Sequence, residues 1–204
     1  MNATQPERLQ FPGATLQRGD DYYLVRLEHP TQFLSSAPLA EGLVTAGWIL
    51  SGQVKPKARM PDPESNLRRL AARLGVPDEE GLVGLLTAVD HRDLQVTSLT
   101  ESGVTVTTLA TVGVDHGSSP RDKDVGGHDG AAVAQAEPLF QPGTINIVTL
   151  VDSGLSAGAL VRASTLATEA KTLAMVEAGL RTRQGHIATG TATDATVVGH
   201  SGRG

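Results

Sequence analysis

The chain has 204 residues, 17 Lys and Arg against 22 Asp and Glu, a net charge of −5 and no cysteine. That length can bury a substantial core, and the acidic balance argues against a general nucleic-acid surface or an anionic membrane surface. Lack of cysteine excludes a thiol nucleophile, a disulfide framework and a cysteine zinc site, while the lack of any long apolar run or signal core points to a cytoplasmic protein.

Residues 1–20 show no clear period and read as a loose arm. Tyr22-Tyr23-Leu24-Val25-Arg26-Leu27 reads as a first strand, which His29-Pro30 ends. Gln32 to Ser36 reads as a second short strand, and Gly42 to Leu50, with the single tryptophan, Trp48, as a third. Lys55 to Pro63 is a proline and basic loop. Asp62-Pro63-Glu64 then opens a helix, with a cap, a proline at the first helical position and an acid in the first turn. Leu67, Leu70, Ala71 and Leu74 form its apolar stripe, and Gly75 stops it. Leu82 to Val89, Asp93 to Leu99 and Val104 to Val114 read as strands, the last two joined by a hairpin turn at Glu101-Ser102-Gly103.

Residues 115–141 break this pattern, and a connection of that length is a functional flap or a disordered segment. His116, Asp122, Asp124, His128 and Asp129 crowd it. Hard or borderline metals accept such ligands, but glycine-rich polar loops also collect them for solubility.

Thr144 to Val151 is short, β-branched and free of breakers, and reads as a buried strand. Ser156 is placed to cap a helix running from about Ala157 to Ala178, with Gly179 as its left-handed stop. Leu160, Leu166 and Leu173 share one face with Ala159, Ala163, Ala167, Ala170 and Ala174, so that face is expected to lie close against a sheet. Glu169 and Lys171 fall on opposite borders of the stripe, because two residues turn a helix by roughly 200°. Ala188-Thr189-Gly190-Thr191-Ala192-Thr193-Asp194 alternates small residues with hydroxyls. If extended, it points its three threonines the same way. Gly154-Leu155-Ser156-Ala157-Gly158 matches a nucleophile elbow, with Asp194 and His200 in triad order. Only 48 residues follow Ser156, too few for the elements that normally carry the acid and the histidine, so Ser156 reads as a cap. The fold these elements imply is α+β: mixed strands with two main helices laid on them, in one compact domain over 21–204.

Several of these residues have two readings. Asn146, inside an apolar strand, is either a structural anchor or a donor to a substrate amide or an oxyanion. Glu169 is either an edge residue paired with Arg162 or, partly buried, a general base on water. Lys171 reads as an edge lysine with its stem on apolar surface. The threonine segment with Asp194 buries little apolar area, which favours a ligand wall over a core strand.

Three blocks, Gly143-Thr144-Ile145-Asn146-Ile147, Ala167-Thr168-Glu169-Ala170-Lys171 and Ala188 to Asp194, resemble in order and spacing the adenosylcobinamide amidohydrolase family of corrinoid salvage. Upstream, Ser35-Ser36, Gly42-Leu43 and Gln53-Val54 resemble its looser blocks. The resemblance implies hydrolysis of the amide joining aminopropanol to the corrin ring, leaving adenosylcobyric acid, with a corrinoid as substrate and neither metal nor cofactor. Carried onto this chain, Asn146, Glu169, Lys171, Thr191 and Asp194 would be catalytic, and Gly143, Thr144, Thr168, Thr189, Gly190 and Thr193 would bind substrate. Asn146 and the Gly190 backbone would polarise the carbonyl, while Glu169 or Asp194 activates water or a threonine hydroxyl; direct water attack and an acyl-threonine are both open. Two places depart from the family: Asp115-His116-Gly117 stands where an asparagine and a small residue are usual, and Ser51 where an asparagine is expected. They support a second reading, a corrinoid-binding module without turnover. A third is a metal-dependent hydrolase built on the 115–129 loop. The sequence leaves the oligomeric state open, a homo-oligomer included.

Overall fold

The computed structural model describes residues 4–55, 62–115, 117–122 and 143–202. Nine strands form one curled mixed sheet: β1 (Glu7–Arg8), β2 (Ala14–Arg18), β3 (Tyr22–Ser35), β4 (Gly42–Gln53), β5 (Leu82–Thr87), β6 (Gln95–Glu101), β7 (Val104–Val112), β8 (Ile145–Val151) and β9 (Ala195–His200). Two helices, α1 (Pro63–Arg73) and α2 (Ala157–Glu177), complete the expected α+β architecture in a single domain. No described helix is long and apolar enough to cross a membrane.

β3 organises the sheet. Along one edge it pairs antiparallel with β4; along the other, its first half pairs with β2 and its second half with β9. From β9 the sheet continues through β8, parallel to β9, then β7 and β6. On the opposite side β5 runs parallel to β4. Alternate residues of β3 enter two cores. Tyr23, Val25 and Phe33 face the interior shared with Ile49, Val83, Leu85, Leu109, Val148 and Val197. Tyr22 and Leu24 face α1, beside Leu50, Leu67 and Ala71. Both faces of β3 are therefore covered, which is why Tyr22 to Val25 is a continuous apolar run.

Two expectations for this region are corrected. From residue 4 on, the N-terminal segment is part of the sheet: β2 pairs with β3, and Phe11, Ala14 and Leu16 are buried. Apolar residues spaced too sparsely to show a period still suffice for one covered face of a short strand. The two strands expected either side of His29-Pro30 are one, β3, whose pairing with β4 skips between Arg26 and Thr31. A proline has no amide donor, and a bulge is where a strand can hold one.

The signals around α1 hold. Asp62 Oδ1 accepts from the Ser65 amide at 2.9 Å, Pro63 opens the helix, and Gly75 (φ 73°) follows its end. α1 packs on a bare strip of sheet: a Cβ added to Gly84 would come within 2.9 Å of Leu67, and one on Gly52 within 2.9 Å of Leu70. The hairpin between β6 and β7 turns on Ser102 (φ 50°) and Gly103 (φ 80°), the two positive-φ positions a tight hairpin turn requires.

Candidate active site

β8 begins beside the segment that leads into β9, and α2 packs against β9 and β3. These three elements carry the three sequence blocks, and they meet at Asp194. Its Oδ1 accepts from the Ile145 amide at 2.9 Å and from the Thr191 hydroxyl. Its Oδ2 accepts from the Thr191 amide at 2.9 Å and from Lys171 Nζ at 2.5 Å. Four donors fill the carboxylate, so Asp194 braces the site. The Lys171 and Asp194 side chains are only 13% and 11% exposed. Gly190 packs directly on the pair: an added Cβ would lie 2.6 Å from Asp194 Oδ2 and 2.9 Å from Lys171 Nζ.

Hydroxyls surround this node. Thr144 Oγ1 and Thr193 Oγ1 are 2.7 Å apart, and Thr172 Oγ1 donates to the Thr189 carbonyl at 3.2 Å. Gly143 and Thr144 are buried at the entry to β8, whereas Thr193 is exposed. Residues 188–194 do not form the extended strand expected from their alternation; β9 starts only at Ala195. The Asp194 carboxylate draws the Thr191 amide and hydroxyl back onto itself, and that local side-chain-to-backbone bond competes with a ladder. Consequently Thr189, Thr191 and Thr193 do not share one strand face: Thr191 is held by Asp194 and Thr193 by Thr144.

Asn146 lies one residue further into β8, 1% exposed. Its Nδ2 donates to the Leu86 carbonyl at 2.9 Å, tying β8 to the end of β5. Its Oδ1 is buried without a partner among the described residues, as is Oγ1 of Thr111, its register partner on β7.

The rotation of α2 differs from the expected one. Leu160 and Met175 are buried and Lys171 is turned inward, while Leu166 and Leu173 are 48% and 57% exposed. Bonds from Lys171 to Asp194 and from Thr172 to Thr189 fix this rotation. An alanine-rich surface discriminates weakly between neighbouring faces. Glu169 is exposed and lines a shallow, open hollow of about 550 Å³ with Thr165, Thr168, Thr172 and Leu173. The structure thus gathers Thr144, Lys171, Gly190, Thr191, Thr193 and Asp194. Thr172 joins that node to the flank bearing Thr168 and Glu169.

Ser156 is a cap: its Oγ accepts from the Ala159 amide at 3.2 Å. His200 Nδ1 instead accepts from the Leu155 and Gly202 amides. Of the upstream blocks, Ser36 extends the sheet through paired bonds with Thr196 of β9, and Ser35 Oγ accepts from the Ala37 amide. Ser51, where an asparagine was expected, bonds His91 Nε2 at 3.0 Å in the interior.

A second polar cluster was not legible in the sequence. Asp122 Oδ1 meets His186 Nδ1 and accepts from the Thr182 hydroxyl, each at 2.9 Å, and its Oδ2 accepts from the Ser119 amide at 3.1 Å. Burial works to raise the Asp122 pKa; the hydrogen bonds from His186, Thr182 and Ser119 outweigh it and hold the carboxyl below its ordinary value. These partners lie some 60 positions apart, and no local motif announces them. His116, Asp124, His128 and Asp129 lie outside the described residues. Among the described residues no cluster of three or more His, Asp or Glu could hold a metal ion.

A curled α+β sheet thus carries, at the mouth of β8, a node of hydroxyls, one carboxylate and one ammonium. The sequence model of the adenosylcobinamide amidohydrolase family matches residues 10–204. Over 165 residues the chain is 33% identical to an adenosylcobinamide amidohydrolase of Methanosarcina mazei, covering 81% of this chain and 68% of that protein. The chain belongs to the adenosylcobinamide amidohydrolase family.

Proposed function

We propose that this protein hydrolyses the amide between aminopropanol and the corrin ring of adenosylcobinamide, releasing adenosylcobyric acid in corrinoid salvage without a metal. The observation that carries this reading is the Asp194 node, which draws the three family-like blocks together on one carboxylate. In this mechanism the Lys171 ammonium, which has protons beyond the one it gives Asp194, stands beside the scissile carbonyl, where charge develops, and Asp194 keeps it in place while binding Thr191 on the same carboxylate. The Thr144–Thr193 hydroxyl pair, Thr189 and the bare Gly190 backbone suit a ligand fringed with carboxamides, and Gly143 and Thr168 complete the polar border. Asn146, fixed to Leu86, sets the start of β8. Glu169 is the carboxylate left to activate water, reached across Thr172.

The test is adenosylcobinamide incubated with the protein and followed by mass spectrometry. Release of aminopropanol together with the carboxylic acid supports the enzyme. Tight binding without release leaves the corrinoid-binding module instead. Glu169→Gln is expected to lower turnover about 100-fold or more, in the range of a lost general base; unchanged turnover would remove Glu169 from the mechanism.

A further inference from the structure

The node around Asp194 supplies donors for the carbonyl, but amide cleavage also needs a proton for the departing nitrogen. In that reading the Lys171 ammonium serves the carbonyl oxygen and Asp194, and the filled carboxylate has no proton to give. The His186–Asp122 pair meets that need. A carboxylate against Nδ1 fixes the ring's orientation and tautomer, leaving Nε2 as the proton-transferring atom. The His186 side chain is 35% exposed and Asp122 only 10%, so the ring meets solvent while its orienting group does not.

The pair is also tied to the node through the backbone. Residues 117–122 stitch both ends of the 181–191 segment: Gly117 bridges to Thr182, the Ser118 amide donates to the Gly190 carbonyl at 2.8 Å, and the Thr189 amide donates to the Ser118 carbonyl at 2.9 Å. Gly190 in turn packs on Lys171 and Asp194. One short segment therefore carries Asp122 at its end and holds the backbone of the node at its centre. Packing fixes its approach, since a Cβ on Gly117 would come within 2.5 Å of Ala188.

We infer that His186, oriented by Asp122, is the general acid that protonates the leaving amine in the hydrolysis proposed above, and the inference rests on that reading. Water adds its oxygen to the amide carbon, giving one proton to the base. The tetrahedral intermediate then collapses with cleavage of the C–N bond, and the nitrogen takes the Nε2 proton as the electron pair leaves with it. The base's proton returns to the imidazole, and the products are a carboxylate and an ammonium. Asp122 is the charged group in contact with the ring; Arg121, Arg181 and Arg183 are the others on its two segments, and Arg181 is engaged by the Gly185 carbonyl.

The test compares the amide of adenosylcobinamide with a p-nitrophenyl ester of adenosylcobyric acid, whose leaving group needs no proton. His186→Asn keeps a donor for Asp122 while removing Nε2. It is expected to lower kcat on the amide about 100-fold, with KM within about 3-fold, and to slow the ester by less than about 5-fold. Equal losses on both substrates, or a variant within about 3-fold of the parent on the amide, would overturn the assignment. So would an Asp122→Asn variant within about 3-fold of the parent on the amide, since the ring would then not depend on its orienting carboxylate. A parent that never releases aminopropanol overturns the proposed function, and the inference with it; an active parent with an unimpaired variant overturns the inference alone.

Discussion

At the scale of single residues, the site is dominated by one buried ion pair and the cost of leaving half of it. Lys171 and Asp194 are both close to fully covered, and Asp194 also satisfies two amides and a hydroxyl. Removing the ammonium strands a carboxylate in a place water barely reaches, a change that costs about 3–5 kcal/mol in comparable buried pairs. Lys171→Met is therefore expected to lower unfolding free energy by that amount. Asp194→Asn should cost at least as much: its oxygen still accepts from Ile145 and the Thr191 hydroxyl, but its NH2 faces the Thr191 amide and a Lys171 ammonium left without a counter-charge. With the charge gone from both sides, the double variant should be more stable than the sum of the two losses predicts. Urea unfolding of the four proteins gives the coupling energy directly, and strict additivity would mean that the two charges do not support each other. Asn146 shows the same economy: an amide that sequence reading could place equally in the frame or in the chemistry commits its nitrogen to the frame.

At the scale of elements, α2 shows why part of the architecture was legible and part was not. Its ends were written locally. Ser156 caps it, Gly179 (φ 68°) follows it, and the run from Thr144 to Val151 reads as the strand before it. Caps, turns and breaker-free runs act over a few residues, and the same holds for Asp62 and Pro63 of α1 and for the Ser102–Gly103 turn. Its rotation was not local. The apolar stripe pointed Leu166 and Leu173 inward, but bonds to Asp194 and Thr189, more than 15 positions away, select another face. Likewise the His186–Asp122 contact and the pairing of β2 onto β3 depend on where distant segments arrive. The three blocks could be read as one site because their resemblance already encodes that arrival. The rotation makes its own prediction: Leu160→Ala, on the covered face, should destabilise by about 2–5 kcal/mol, whereas Leu173→Ala should stay within about 0.5 kcal/mol. Denaturant midpoints measured side by side decide between the two faces, since the stripe read from sequence would make both changes costly.

At the scale of the whole molecule, the curled sheet encloses an ionisable group that the proposed chemistry does not use. His91 is 2% exposed, with Ser51 on its Nε2, the Tyr23 ring edge-on at 5.4 Å and no partner for Nδ1 among the described residues. Burial pushes its pKa down to about 4, against the raising influence of Asp90 and Asp21. The folded protein thus holds His91 neutral at pH values where the unfolded chain protonates it. A depressed folded-state pKa gives stability that is fully present above about pH 6.5 and is lost as pH falls towards 4, to a limit of roughly 3 kcal/mol. Asp90, held down to about 2 by its bonds with Arg92, acts only in more acid solution, whereas the His91 contribution begins to fall below about pH 6.5. Urea unfolding below that pH should show stability falling in the parent protein. In Ser51→Ala/His91→Leu, which removes the imidazole together with the hydroxyl it satisfies, the slope should flatten. If the double variant keeps the parent's slope, the proton uptake on unfolding comes from another group, and the sheet interior is not where this protein's acid sensitivity lies.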